Sequence, residues 1–450
     1  PLLRVSKPPL AGGFEPLARA TEALRPILML ESRGLAFEHD PRIEEATLVK
    51  TRLMLLLIAL LTACSTDIPP TTMMIGGATV TPTAIPLSES VEPITRDNIS
   101  RIEPLGQLVS VDPPSTVFAY DISPDGARLA GLNNDLLLAW DLVTGTLVFS
   151  TDRLSATRVF YSPDKTEIYT IDDTGRVNVT NDRGSFQTSF QGQTAYNPQI
   201  VTFYPEDGWL ALGGTDGTVK VWDTATRTSL ATLEAHSLRV NALTFSSDGA
   251  LLATGGDEGV VDIWEWESRT RLQQIEVGAI PLRLAFSPDD TQLAVGTLAD
   301  IRLYNVSDGA LASTLATGER GVSEVMLYSP DGAYLVNGGG IPNMQVWDPR
   351  TGTMLALIPG FGNQRLAADF SPDGTMLLTS LYNTGVALWD MTQITNETIN
   401  RADLPIGVTT ILGLSWTDDS RLMVFIDGLG PIYVWGISPR NATLTATPTE

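Results

Sequence analysis

Residues 246–265 read SSDGALLATGGDEGVVDIWE. A turn, Ser246-Ser247-Asp248-Gly249, leads into the apolar run Leu251-Leu252-Ala253-Thr254. A glycine-rich second turn follows, and then Val260-Val261-Asp262-Ile263-Trp264. Asp folds back on its own backbone and Gly supplies a positive φ, so each reversal has a mechanism. Apolar runs this short, bounded by such turns, are strands.

The same grammar returns along most of the chain. The turn recurs as Ser123-Pro124-Asp125-Gly126, Ser162-Pro163-Asp164-Lys165 and Tyr204-Pro205-Glu206-Asp207-Gly208. It continues as Ser287-Pro288-Asp289-Asp290, Ser329-Pro330-Asp331-Gly332, Ser371-Pro372-Asp373-Gly374 and, decayed, Thr417-Asp418-Asp419-Ser420. An aromatic dipeptide follows each: Trp140-Asp141, Trp222-Asp223, Trp264-Glu265, Tyr304-Asn305, Trp347-Asp348, Trp389-Asp390 and Trp435-Gly436. In the second repeat Val179-Thr180 stands there instead. Two motifs recurring in phase, roughly forty residues apart, mark a repeat architecture.

This period and these dipeptides resemble the WD-repeat (WD40) family, over Thr95 to Arg440. The resemblance implies an all-β fold, a β-propeller of four-stranded antiparallel blades around a central channel. Eight turns predict eight blades; a seven-bladed ring with one divergent extra unit is the alternative. The last repeat stops soon after Trp435 with no fourth strand of its own. Residues Ile102 to Ser110 are expected to supply it, pairing the two ends of the domain and removing an open edge.

The resemblance also implies a hydrogen-bonded group of His, Ser/Thr, Asp and Trp in each blade. One repeat keeps all four types: His236, Thr254, Asp257 and Trp264. Buried polar groups there satisfy one another, so His236 reads as structural rather than catalytic. The other repeats lack the His and are expected to rely on apolar packing. Tryptophans at repeat spacing on strands read as core. The turn aspartates match no calcium-binding loop, and Asp-Gly turns account for them, so neither metal nor cofactor is expected. Arg158 and Arg283 hold equivalent places before their turns, as do Asp121 and Asp369. These four are expected to line the channel or to form ion pairs.

Ahead of the repeats, Val49-Lys50-Thr51-Arg52 precedes the apolar run Leu53 to Leu61, then Leu61-Thr62-Ala63-Cys64. A basic start, a short apolar stretch and small residues before a cut read as a signal peptide, 49–63, too short to span a bilayer. Leu-Thr-Ala-Cys resembles the bacterial lipobox, which implies lipidation of Cys64 and an extracytoplasmic, membrane-anchored protein. The sequence begins at Pro1 rather than Met, and translation is expected to start near Leu48 or Val49, leaving 1–48 outside the mature protein. Residues 64–94, rich in Thr and Pro, read as a tether, and 441–450 as a tail of the same character.

Charge narrows the function. With 29 Lys and Arg against 52 Asp and Glu, the net charge of −23 opposes nucleic acid and anionic lipid alike. One cysteine and two histidines leave little for a transition-metal centre. No Gly-x-Ser-x-Gly elbow, phosphate loop or His-Glu-x-x-His occurs. The expectation is a monomeric binding platform, not an enzyme, with a protein or glycan partner. The alternatives are a lactonase-like propeller hydrolase using Asp121 and Asp369 as acid and base, and the sensor domain of a larger envelope system.

Overall fold

The computed structural model of the chain describes residues 73–75, 78–80 and 91–437, apart from 109–115, 135, 153–154, 195, 318–324, 339–342, 360–366, 382–384, 396–397, 405–410 and 429. Cys64, the 1–48 stretch, the 49–63 signal and the 441–450 tail lie outside the described residues. The chain divides into a unit up to Val80 and a second from Thr81 onward. In the first, Met73–Ile75 pairs antiparallel with Ala78–Val80, within the stretch read as a plain tether.

The second unit contains eight four-stranded antiparallel sheets. Blade one is Ala119–Ile122, Arg128–Leu132, Leu136–Asp141 and Leu147–Asp152. Blades two to seven follow the same order, each a meander of consecutive strands. Blade eight takes Ile411–Trp416, Leu422–Asp427 and Ile432–Gly436 from the end of the chain, and its fourth strand, Glu103–Leu108, from the start. Leu108 pairs with Ile432 and Glu103 with Gly436. The ring therefore closes by the two ends, as the sequence predicted, and has eight blades rather than seven. The body begins earlier than Thr95: Ile94 is buried, its N–H bonds Ser420 C=O, and Glu92 bridges Ile437.

Burial is graded across each blade, which explains why the motifs look as they do. In blade four the second strand, Leu251–Gly256, and the third, Val260–Glu265, are buried on both faces over most of their length. They accordingly read as continuous apolar runs rather than as alternation. The fourth, Thr270–Glu276, is largely exposed. The first strands of neighbouring blades lie against one another and so surround the axis. Tyr120 Oη donates to Leu414 C=O across the closing seam, 2.9 Å. Apolar cores fill the gaps between blades, and the one at the seam joins Leu105, Leu108 and Val434 to Leu129, Leu138 and Trp140.

In seven of the turns a hydroxyl does what the sequence pattern assigned to Asp and Gly alone. Ser123, Ser162, Ser246, Ser287, Ser329, Ser371 and Thr417 each donate to the Asp two residues on, at 2.6–2.8 Å. The same oxygen accepts the N–H five residues on, as at Leu251 and Met376. The carboxylates are thereby used up in local structure. The last turn residue is left-handed, with φ +68° at Gly249 but also +66° at Lys165 and +54° at Asp290, where a side chain bears the strain.

Strand register corrects one reading. Trp264 pairs with Leu252 and Trp222 with Leu210, and the partner of the matching Ile168 is Thr180. Thr180-Asn181, not Val179-Thr180, occupies the aromatic dipeptide's place in blade two. Asn181 Oδ1 accepts the Arg183 and Ser185 N–H groups, so it does the work of the usual Asp.

Candidate functional site

The ring presents two unlike ends. One carries the turns between first and second strands. The other carries the loops between blades and the turns between second and third strands, and on this loop face the polar group of blade four is built.

His236 lies on the loop entering blade four, with its side chain fully buried. Its Nε2 is 2.8 Å from Thr254 Oγ1, and Trp264 Nε1 donates to that same oxygen at 3.2 Å. His236, Thr254 and Trp264 thus come together. Asp257 does not join them. It accepts from Asn241 Nδ2 and pairs with Arg239, Nη2 to Oδ2 3.2 Å. Glu258 takes the expected place of Asp257, its Oε1 2.5 Å from His236 Nδ1. In the turn Gly256-Asp257-Glu258-Gly259, Glu258 reaches His236, whereas Asp257 is taken by Arg239 and by Asn241 on the first strand. Buried Asp262 adds a carboxylate beside the group, pushed up from its ordinary pKa by burial and held back by Arg271 at 3.2 Å.

The other blades are not purely apolar, contrary to expectation. Trp347 Nε1 donates to Asn337 Oδ1 at 2.7 Å and Trp389 Nε1 to Thr379 Oγ1 at 2.8 Å. Asn337 and Thr379 stand eight residues after their turn Ser, where Thr254 stands after Ser246, so spacing could have found both.

The four residues assigned to the channel sit on the first strands of four different blades, one, two, five and seven. Asp121 Oδ2 accepts the N–H of Tyr161 in blade two at 2.7 Å, and Asp369 Oδ2 that of Trp416 in blade eight at 3.0 Å. Each carboxylate thus staples its blade to the next. Burial pushes Asp121 up to about 7 and Asp369 up to about 6, against the pull of those N–H bonds and with Asp418 repelling both. Arg158 and Arg283 donate to the backbone carbonyls of Thr157 and Leu282. Among the described residues no cluster of three or more His, Cys, Asp or Glu is arranged to hold a metal ion.

Sequence reasoning missed a surface feature beside His236. Leu238, Ile280 and Leu298 are exposed, Leu298 by 68%. They lie on neighbouring segments of the loop face. Leu238 is on the loop entering blade four, Ile280 on the loop entering blade five, and Leu298 on the second turn of blade five. Backbone bonds knit these segments together: His236 N–H to Gly217 C=O, Asp257 to Arg239, Val277 to Gly259 and Leu282 to Gly296, all 2.8–3.0 Å. Only their three-dimensional adjacency makes an apolar arc of residues far apart in sequence.

Comparison with known proteins agrees with this architecture. The family profile of the IFT140 first β-propeller matches residues 166–282. No curated protein matches in sequence. Among solved structures, the C-terminal WD40 domain of Sif2 is 15% identical, with a TM-score of 0.60 over 75% of this chain and 99% of that one. The computationally designed Ika8 protein is 21% identical, with a TM-score of 0.58 over 74% of this chain and 99% of its own. At such identities the likeness speaks for fold alone. The chain folds as a WD40-type β-propeller of eight four-stranded blades.

Proposed function

We propose that the protein is a lipid-anchored, extracytoplasmic binding platform whose loop face at blades four and five receives a protein partner. The observation that carries this reading is the arc of Leu238, Ile280 and Leu298, three exposed aliphatic side chains on adjoining loops of one face. Isolated exposed leucines need no explanation, but a grouped set on one face favours an interaction surface. The loop bearing Leu238 is fixed by the His236 group beneath it, and a preformed surface loses less entropy on binding.

Catalysis is disfavoured because the candidate acid and base, Asp121 and Asp369, each hold the backbone of a different neighbouring blade. The anchor rests on the sequence pattern ending at Cys64. Cys64→Ser is expected to release the protein from the membrane fraction.

A photo-reactive residue at Leu298 tests the platform, with one at Asp331 on the opposite end as control. The reading predicts that a defined protein is crosslinked at Leu298 and not at Asp331, and that Leu238→Asp abolishes the product. Equal products at both positions would contradict it.

A further inference from the structure

The chain joins the propeller at one end of blade eight, and it joins it stiffly. Val91 and Ile94 are buried there. Glu92 bridges Ile437, just past that blade's third strand, and Ile94 N–H bonds Ser420 C=O in its first turn at 2.8 Å. Arg101 holds Glu92 at 2.6 Å, and Arg96 reaches Asp390 of blade seven at 2.9 Å. The first fixed residues are thus clamped to two blades. The third strand, Ile432–Gly436, ends beside Leu422, where the second begins. Ile437 therefore leaves blade eight at the end that carries the first turns, next to the point of entry. The segments before Val91 and after Ile437 both attach at this turn end.

The arc of Leu238, Ile280 and Leu298 lies at the other end, on the loops of blades four and five. In a closed ring of eight, blade four is four steps from blade eight in either direction, so it stands across the axis from the attachment. Strands of five or six residues separate the two ends by about 15–20 Å. The arc is therefore remote from the attachment both along the axis and across it. A tether that starts at Cys64 can turn the loop face to the membrane only by running up the side of the ring, which costs it conformational freedom. The net charge of −23 also pushes the body away from anionic headgroups, leaving its attachment point nearest to them.

Resting on the anchor at Cys64, we infer that the turn end of blade eight faces the membrane and that the loop face, with its aliphatic arc, points away from it. The partner is accordingly met from the aqueous side: it is a soluble protein or one presented by a facing surface, not a lipid or a segment within the same bilayer. The arc is a protein contact held clear of the headgroups, and the clamp of Val91–Arg101 on blades seven and eight keeps it there.

The test uses the full chain, purified with its acyl chains and floated with vesicles of phosphatidylethanolamine and phosphatidylglycerol that carry rhodamine-labelled lipid. A donor dye is placed at Ser307 or at Leu298, two exposed positions at opposite ends of blade five. Energy transfer to the lipid dye from Ser307 is expected to exceed that from Leu298 by about twofold, given the height of a blade. Flotation should be lost in Cys64→Ser. Equal or stronger transfer from Leu298, with flotation intact, would overturn the inference, make the arc a lipid-facing surface and leave the anchor standing. Wild-type protein that does not float, or Cys64→Ser protein that floats as well as wild type, would overturn the anchor and the inference together.

Discussion

His236 Nδ1 lies 2.5 Å from Glu258 Oε1, tying the loop that enters blade four to the turn between that blade's second and third strands. Because the same imidazole reaches Thr254 and, through it, Trp264, one side chain fixes loop, turn and strand at once.

Removing His236 leaves a half-buried carboxylate and a buried hydroxyl short of partners. His236→Ala is expected to cost about 2–4 kcal/mol, the range for breaking a buried polar pair from one side. Glu258→Gln should cost less, since an amide oxygen still accepts. Asp257→Asn, outside the group, should stay within about 1 kcal/mol, as for an exposed ion pair. Chemical denaturation of the three variants checks the order; Asp257→Asn matching His236→Ala would restore Asp257 to the group.

Gly217 has φ +84°, and a Cβ added there would stand 2.0 Å from the His236 carbonyl oxygen. Gly217→Ala is therefore expected to destabilise by about 1–3 kcal/mol through steric overlap and backbone strain. Thermal unfolding reads the shift, and an unchanged midpoint would show that the loop yields freely.

Ring closure depends on Glu103–Leu108 covering the edge of Ile432–Gly436. Buried Leu105 and Leu108 seal that contact. Leu105→Asp puts a charge into the seam and exposes a strand edge, so aggregation on mild heating should follow. Light scattering during a temperature ramp checks this, against Leu147→Asp on an exposed outer strand, which should behave as wild type.

Asp121 and Asp369 give stability a pH dependence of definite sign. Folding raises them to about 7 and about 6. The unfolded chain holds Asp near 3.9, so between about pH 4 and 7 the native state binds more protons and loses stability as pH rises. Melting temperature should therefore climb from pH 8 to pH 5. The Asp121→Asn Asp369→Asn double variant, which keeps an acceptor for Tyr161 and Trp416, should flatten that slope. Below about pH 4 the hydrogen-bonded turn aspartates, such as Asp164 and Asp289, reverse the trend as they protonate. A slope that survives in the double variant would place the titration elsewhere.

The repeat made the fold legible because turn and aromatic recur in phase. Even the closing strand could be found, since a last repeat without a fourth strand must borrow one. What sequence order blurred was register. Asp257 and Glu258 are adjacent acids in one turn, and only backbone direction decides which meets His236. Thr180 differs from Val179 by one position, yet one position sets the face of a strand. The arc of Leu238, Ile280 and Leu298 was invisible because single leucines in loops carry no pattern until the ring brings them together.

The most direct test of the platform is titration calorimetry of the purified propeller with the protein captured at Leu298, comparing wild type with Leu298→Asp. One-to-one binding that weakens at least tenfold in the variant is the predicted result. Equal affinity for both proteins would contradict the assignment of the loop face as the binding surface.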